Sequence, residues 1–199
     1  MDIPNIAYKV EQDSPAVTRF EINRFRPPRR GERMNFEVNV VAENLEGQVK
    51  RAHAKPNLPT WGAFVMHSDE GEALRGSDNA PCPLNYFTAG IAFCLLSHVQ
   101  EYVESNSLSV DSAKLELRQF FYATETDVDV VAEHGLTGGS TGLELHLLIE
   151  SNESQQSIEK LFHECVNSCL AIQSIVNPIP LNANLALNGD DVDRINVAQ

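Results

Sequence analysis

The sequence predicts an α+β domain with an antiparallel sheet. Three observations lead there: strand-period alternation early in the chain, a long proline-free apolar segment in the middle, and a second helical stripe followed by a closing strand. In the first third, MNFEVNVVA alternates, with Met34, Phe36, Val38 and Val40 on one side and Asn35, Glu37 and Asn39 on the other. That is the period of a half-buried strand. AVTRFEIN before it is a shorter strand candidate. TWGAFVMHS, from Thr60, is another, with Trp61, Phe64 and Met66 as apolar anchors. SDEGEALRGSDNAPCP then breaks the pattern and reads as a loop.

Pro83 suits the first turn of a helix, where its missing N–H costs nothing. Asn85 to about Glu104 continues without proline and is apolar nearly all round, so the helix is expected at the centre of the fold. AKLELRQFFYAT and LELHLLIE follow as strands, the latter placing Leu143, Leu145, Leu147 and Ile149 on one face. Between them, AEHGLTGGSTG reads as a glycine-rich turn; no lysine follows the glycines, so it does not match a phosphate loop. From about Ser154 to Ile175 the residues Ile158, Leu161, Phe162, Cys165, Cys169 and Ile172 fall at offsets of 0, 3, 4, 7, 11 and 14, one helical face. IPLNANLAL alternates as a last strand, and NGDDVDRINVAQ is expected to be a polar, frayed tail. The expected organisation is one domain over 1–199, with a core at about 34–187.

The 199 residues carry a formal net charge of −13. That argues against a general nucleic-acid or anionic-membrane surface. The local exception is RFRPPRRGER, with Arg24, Arg26, Arg29, Arg30 and Arg33. It reads as a solvated, proline-stiffened loop, or as an anion site that lends an arginine to a pocket. No apolar run reaches a membrane span, and MDIPNIAYKV has neither the basic start nor the apolar core of a signal peptide. A cytoplasmic location is the expectation.

Four cysteines, Cys82, Cys94, Cys165 and Cys169, leave packing, metal binding and thiol chemistry open. If the two helices pack together, Cys94 and Cys169 can meet. His98, one turn after Cys94, either marks the polar end of its helix or favours the Cys94 thiolate. Cys94/His98 and Cys165/Cys169 are two i, i+4 pairs that facing helices can offer to zinc. Structural zinc sites more often use short cysteine knuckles in turns, so no metal and no cofactor is expected.

FVMHSDEGEALRGSDNAPCPLNYFTAGIAFCLL resembles the central signature of the OsmC/Ohr family, the osmotically induced and organic hydroperoxide resistance proteins. The resemblance rests on an acidic turn, a Gly-containing loop, and a helix-opening proline eleven residues before a cysteine, Pro83 to Cys94. CLAIQSIVNPIPL, from Cys169, is similar to the family's second cysteine helix and its run to the last strand. The resemblance covers roughly Met34 to Leu187. It implies the OsmC-like fold, with antiparallel sheets and two central cysteine-bearing helices in an intertwined homodimer. It also implies a thiol peroxidase for organic hydroperoxides. Cys94 matches the peroxidatic cysteine and Cys169 the resolving one, with a dithiol or lipoylated protein as reductant. The family's catalytic arginine matches Arg29, Arg30 or Arg33. Where its peroxidases usually carry a glutamate after the helix-opening proline, this chain has Leu84 and Asn85, and Asn85 offers a hydrogen bond in place of an ion pair. The resemblance also admits a protein of this fold without peroxidase activity, one that binds a small apolar or electrophilic ligand at the dimer interface.

Overall fold

A computed structural model describes residues 5–10, 17–123, 137–177 and 179–197. The chain is α+β, as expected, and divides into two compact units, Met1–Tyr86 and Phe87–Gln199. Helix α1 (Pro83–Asn106) is continuous across the boundary.

The first unit holds a four-stranded antiparallel sheet of β1 (Ala7–Val10), β2 (Val38–Asn44), β3 (Lys50–Pro56) and β4 (Ala63–Ser68), in the order β1-β4-β3-β2. Three expectations change here. Among the described residues, 17–23 form no strand. Side chains take the hydrogen bonds a ladder would supply: Glu37 accepts from the backbone N–H and the Nδ2 of Asn23, at 2.8 and 2.7 Å, and Asn57 Nδ2 donates to the Asn23 carbonyl at 2.9 Å. For the same reason β2 begins only at Val38, because the N–H of Glu37 donates to Asn57 Oδ1. In β4 the buried residues are not the expected apolar anchors. Ala63 and Val65 are buried, while Trp61 and Phe64 are exposed. The smaller side chains face inward, which hydrophobicity alone does not foretell. Strands β1 and β3 are not among the expected strands, and β3 is half-buried along its whole length.

The loop after β4 is organised by Asp69, the one buried charged side chain among the described residues. Its carboxylate accepts the backbone N–H groups of Glu70, Ser77 and Asn79 at 2.8, 3.1 and 3.2 Å. Burial by itself would raise this carboxyl. The three N–H groups, with Lys50 nearby, outweigh it and hold the group below its ordinary range.

The second unit packs α1 and two shorter helices on a long hairpin. β5 (Val110–Ala123) pairs with β6 (Gly138–Ser151), and Leu115, Leu117, Leu143, Leu145, Leu147 and Ile149 all pack on one core cluster. That cluster is Ile91, Leu95 and Val99 from α1, with Leu161, Cys165, Cys169 and Ile172 from the segment after β6. Residues 138–142 belong to β6 and not to a turn. The glycines there suit a strand crowded by its partner: a Cβ on Gly139 would lie 2.7 Å from the Tyr122 hydroxyl. Residues 132–136 of the expected turn lie outside the described residues.

The second helix is two helices, α2 (Gln155–Ser168) and α3 (Leu170–Val176). Ser154 caps α2, accepting the N–H of Ser157 at 3.2 Å. The expected tail is also a strand. β7 (Leu181–Leu187) and β8 (Asp190–Val197) form a hairpin across Asn188 and Gly189, with φ of 53° and 101°. Positive φ at both central residues is what a tight hairpin turn requires, and Asn-Gly is its strongest sequence signal. In α1 only Ile91, Leu95 and Val99 are buried, and Phe87 and Phe93 are exposed. Within one chain the helix is therefore buried along one stripe and not all round. Among the described residues no helix is long and apolar enough to cross a membrane.

Two outcomes follow. Leu95→Ala, at a side chain with no exposed surface, should cost about 2–5 kcal/mol in denaturant unfolding. Asp69→Asn should speed amide exchange at Ser77 and Asn79. Because the folded carboxyl is depressed, its contribution is full above the ordinary aspartate range and is lost as pH falls through the lower folded value. An acid titration of stability should therefore be shallower in Asp69→Asn than in the parent.

Candidate functional site

The helical register of α1 decides where Cys94 points. It precedes Leu95, whose side chain is wholly in the core, so the thiol lies at the border of the buried stripe and is half-buried against the cluster. One turn on, His98 Nδ1 is 3.9 Å from Cys94 Sγ and 2.8 Å from the Cys94 carbonyl oxygen. The carbonyl can only accept, so this contact assigns the proton to Nδ1 and the free lone pair of the neutral ring to Nε2.

Cys169 comes from the break between α2 and α3. Its ψ of 110° is extended; its N–H still closes α2 on the Cys165 carbonyl, while its carbonyl accepts from Gln173 N and opens α3. The Gln173 side chain reaches back across the break and donates to the Val166 carbonyl at 3.1 Å. The heptad-like stripe of the sequence continues through this point, so apolar periodicity carries no sign of the interruption. Cys169 has no exposed surface.

The two helical segments meet at these thiols. One donor atom each of Cys94, His98 and Cys169 lies within 4.8 Å of the others. Cys165 stands outside this group, although it is buried one turn before Cys169. Burial pushes the Cys169 thiol above its ordinary range; the Ile172 amide pulls it back, the adjoining Cys94 thiol adds to the rise, and the Ala171 amide opposes it. Burial, then the neighbouring Cys169 and Glu164, push the Cys165 thiol up as well. The donor set of two thiols and an imidazole suits thiol–disulfide chemistry and soft-metal binding alike.

The other candidates lie in the first unit. Arg29 and Arg30 are exposed around the turn before β2, where the Arg29 N–H donates to Glu32 Oε2 at 3.1 Å. Arg33 is exposed and lines a cavity of about 530 Å³ with Arg24, Arg26, Glu32 and Glu37. Arg26 is paired with Glu32 at 3.2 Å. Asn85 is exposed in the first turn of α1, its N–H donating to the Cys82 carbonyl at 3.0 Å, and Leu84 beside it is exposed.

Two cysteines, one on α1 and one at the break between α2 and α3, beside a histidine and on an antiparallel hairpin, define a protein with a thiol site in an α+β fold. The protein-family model described as OsmC-like protein matches residues 76–184, and the chain belongs to that family. The fold is shared with an OsmC-like hydroperoxide resistance protein from Jannaschia sp. CCS1, at a TM-score of 0.50 and 16% identity over 79% of this chain and 98% of that one. Similar too are an organic hydroperoxide resistance protein OsmC from Legionella pneumophila (19% identity, 70% of this chain and 90% of that one, TM-score 0.45) and an OsmC-like protein from Mycoplasma pneumoniae (14%, 72% and 88%, TM-score 0.47). No curated protein matches the chain.

Native alkylation tests the site's asymmetry. In the reduced protein Cys94 should react with iodoacetamide well before Cys165 and Cys169, which are buried and held in the thiol form. Peptide mass spectrometry over time reads the order; equal rates at Cys94 and Cys169 would contradict it.

Proposed function

We propose that the protein is a thiol peroxidase that reduces organic hydroperoxides, with Cys94 as peroxidatic and Cys169 as resolving cysteine. The observation that carries this reading is the approach of the two thiols and His98 to within 4.8 Å, brought together from separate helices. The Cys94 thiolate attacks one peroxide oxygen; the O–O bond breaks, and the alkoxide takes a proton and leaves as an alcohol. Cys94 is then a sulfenic acid. The Cys169 sulfur attacks it and water leaves, so the two electrons given to the peroxide come from the two thiols. A dithiol or lipoylated-protein reductant exchanges with the disulfide and restores both. His98 supports the thiolate when protonated. Asn85 and one of Arg29, Arg30 or Arg33 assist on the substrate side.

The working form in this proposal is a cytoplasmic homodimer. The β7–β8 hairpin supports that reading, since Leu181, Leu185, Leu187, Val192, Ile195 and Val197 are all exposed in the single chain. A row of this kind suits cover by a second copy. The second reading is a non-peroxidase protein of this fold that binds a small apolar or electrophilic ligand at the dimer interface. It is favoured by Leu84 and Asn85, which put no carboxylate where the family's peroxidases usually keep one.

Cumene hydroperoxide separates the two. Under the peroxidase reading the reduced protein consumes it and loses two hydrogens in intact mass. Cys94→Ser should abolish both effects. Cys169→Ser should stop after one turnover with a dimedone-reactive sulfenic acid at Cys94. Oxidation no faster than that of free cysteine would refute the proposal and leave the ligand-binding reading.

A further inference from the structure

We propose that the reduced cluster of Cys94, His98 and Cys169 is a binding site for the borderline d10 cation Zn²⁺, and that the zinc-bound and disulfide forms of the protein exclude one another. Zinc binding stands on the cluster alone; the exclusion rests on the peroxidase reading.

The donor chemistry points to this ion. Two sulfurs and an imidazole nitrogen select zinc over the hard cations, which prefer oxygen ligands. Around a tetrahedral Zn²⁺, with bonds of about 2.3 Å to sulfur and about 2.0 Å to nitrogen, donors stand roughly 3.5–3.8 Å apart. The three donor atoms already lie within 4.8 Å of one another, so each has only about 1 Å to move. The His98 nitrogen that faces Cys94 Sγ is Nδ1, at 3.9 Å; it also contacts the Cys94 carbonyl oxygen at 2.8 Å, so the ion takes the place of that hydrogen bond as the ring moves its proton to Nε2.

The sequence suggested two cysteine-containing pairs as a set of four ligands. The fold assembles three of them and leaves Cys165 out. Three protein ligands give a tetrahedral ion one position for an external ligand, the pattern of an exchangeable site and not of a closed structural one. As Zn²⁺ enters, two thiol protons pass to solvent and the two thiolates balance its charge. When a hydroperoxide then takes two electrons from the sulfurs, the sulfur–sulfur bond forms. Two protons are consumed, alcohol and water leave, and Zn²⁺ departs unchanged in oxidation state.

The test titrates ZnCl₂ into the reduced full-length chain against a chromophoric chelator. The expected result is one ion per chain, with affinity lowered at least about tenfold in Cys94→Ser and in His98→Ala. Cys82→Ser should bind as the parent does. Co²⁺ in place of zinc should give a sulfur-to-metal charge-transfer band that Cys94→Ser weakens. Parent-like affinity in both Cys94→Ser and His98→Ala would overturn the site. Adding tert-butyl hydroperoxide to the zinc-loaded protein should release the ion to a metallochromic indicator as the thiols disappear. If zinc binds at the cluster but peroxide oxidises no thiol even in the zinc-free protein, the peroxidase reading and the exclusion fail while the site stands. Thiols that oxidise in a protein with no affinity for zinc overturn the site and leave the peroxidase.

Discussion

Everything about the site depends on the packing of one helical stripe against another. Ile91, Leu95 and Val99 are spaced so that one side of α1 is apolar, and Leu161, Cys165, Cys169 and Ile172 meet it from α2 and α3. Dispersion and desolvation at this seam hold the register of α1 against α2 and α3. Cys94 reaches Cys169 because its neighbour Leu95 is locked in the core. The hairpin β5–β6 supplies the floor. Its alternating leucines leave the helices one face on which to bury themselves.

The seam was legible in the sequence because period and hydrophobicity agree there. The stripe through Ile158, Leu161, Cys165 and Cys169 and the alternation through Leu143, Leu145, Leu147 and Ile149 each admit one arrangement. The first unit was harder to read. The large Trp61, just before β4, and Phe64 within it are exposed while Ala63 and Val65 are buried, and alternation alone does not say which side turns inward. Near Asn23 the chain looks like a strand but satisfies its backbone through Glu37 and Asn57, a tertiary arrangement that local propensity does not record. β8 did carry a signal in Asn188-Gly189, and its polar composition hid it.

The site was legible in part. The spacing from Pro83 to Cys94 and the one-turn offset to His98 place a thiol and an imidazole on one helix face, and that is where they are found. Cys165 and Cys169 look equivalent in sequence, both on one stripe and one turn apart. They diverge because the helix stops between them. That stop uses a glutamine side chain to satisfy a carbonyl seven residues back, and no proline or glycine announces it.

The interruption at Cys169 bears on how the two sulfurs can come together. Their donor group spans up to 4.8 Å, and a disulfide needs about 2 Å, so the two sulfurs have to close on one another. In an unbroken helix that displacement would strain consecutive hydrogen bonds on both sides of the cysteine. Here α2 closes on the Cys169 N–H and α3 opens from its carbonyl, so a rotation between those two groups leaves both ladders intact. Cys169 is in that sense a pivot. Oxidation and reduction act through that pivot on the seven-residue α3, whose Ile172 belongs to the core seam.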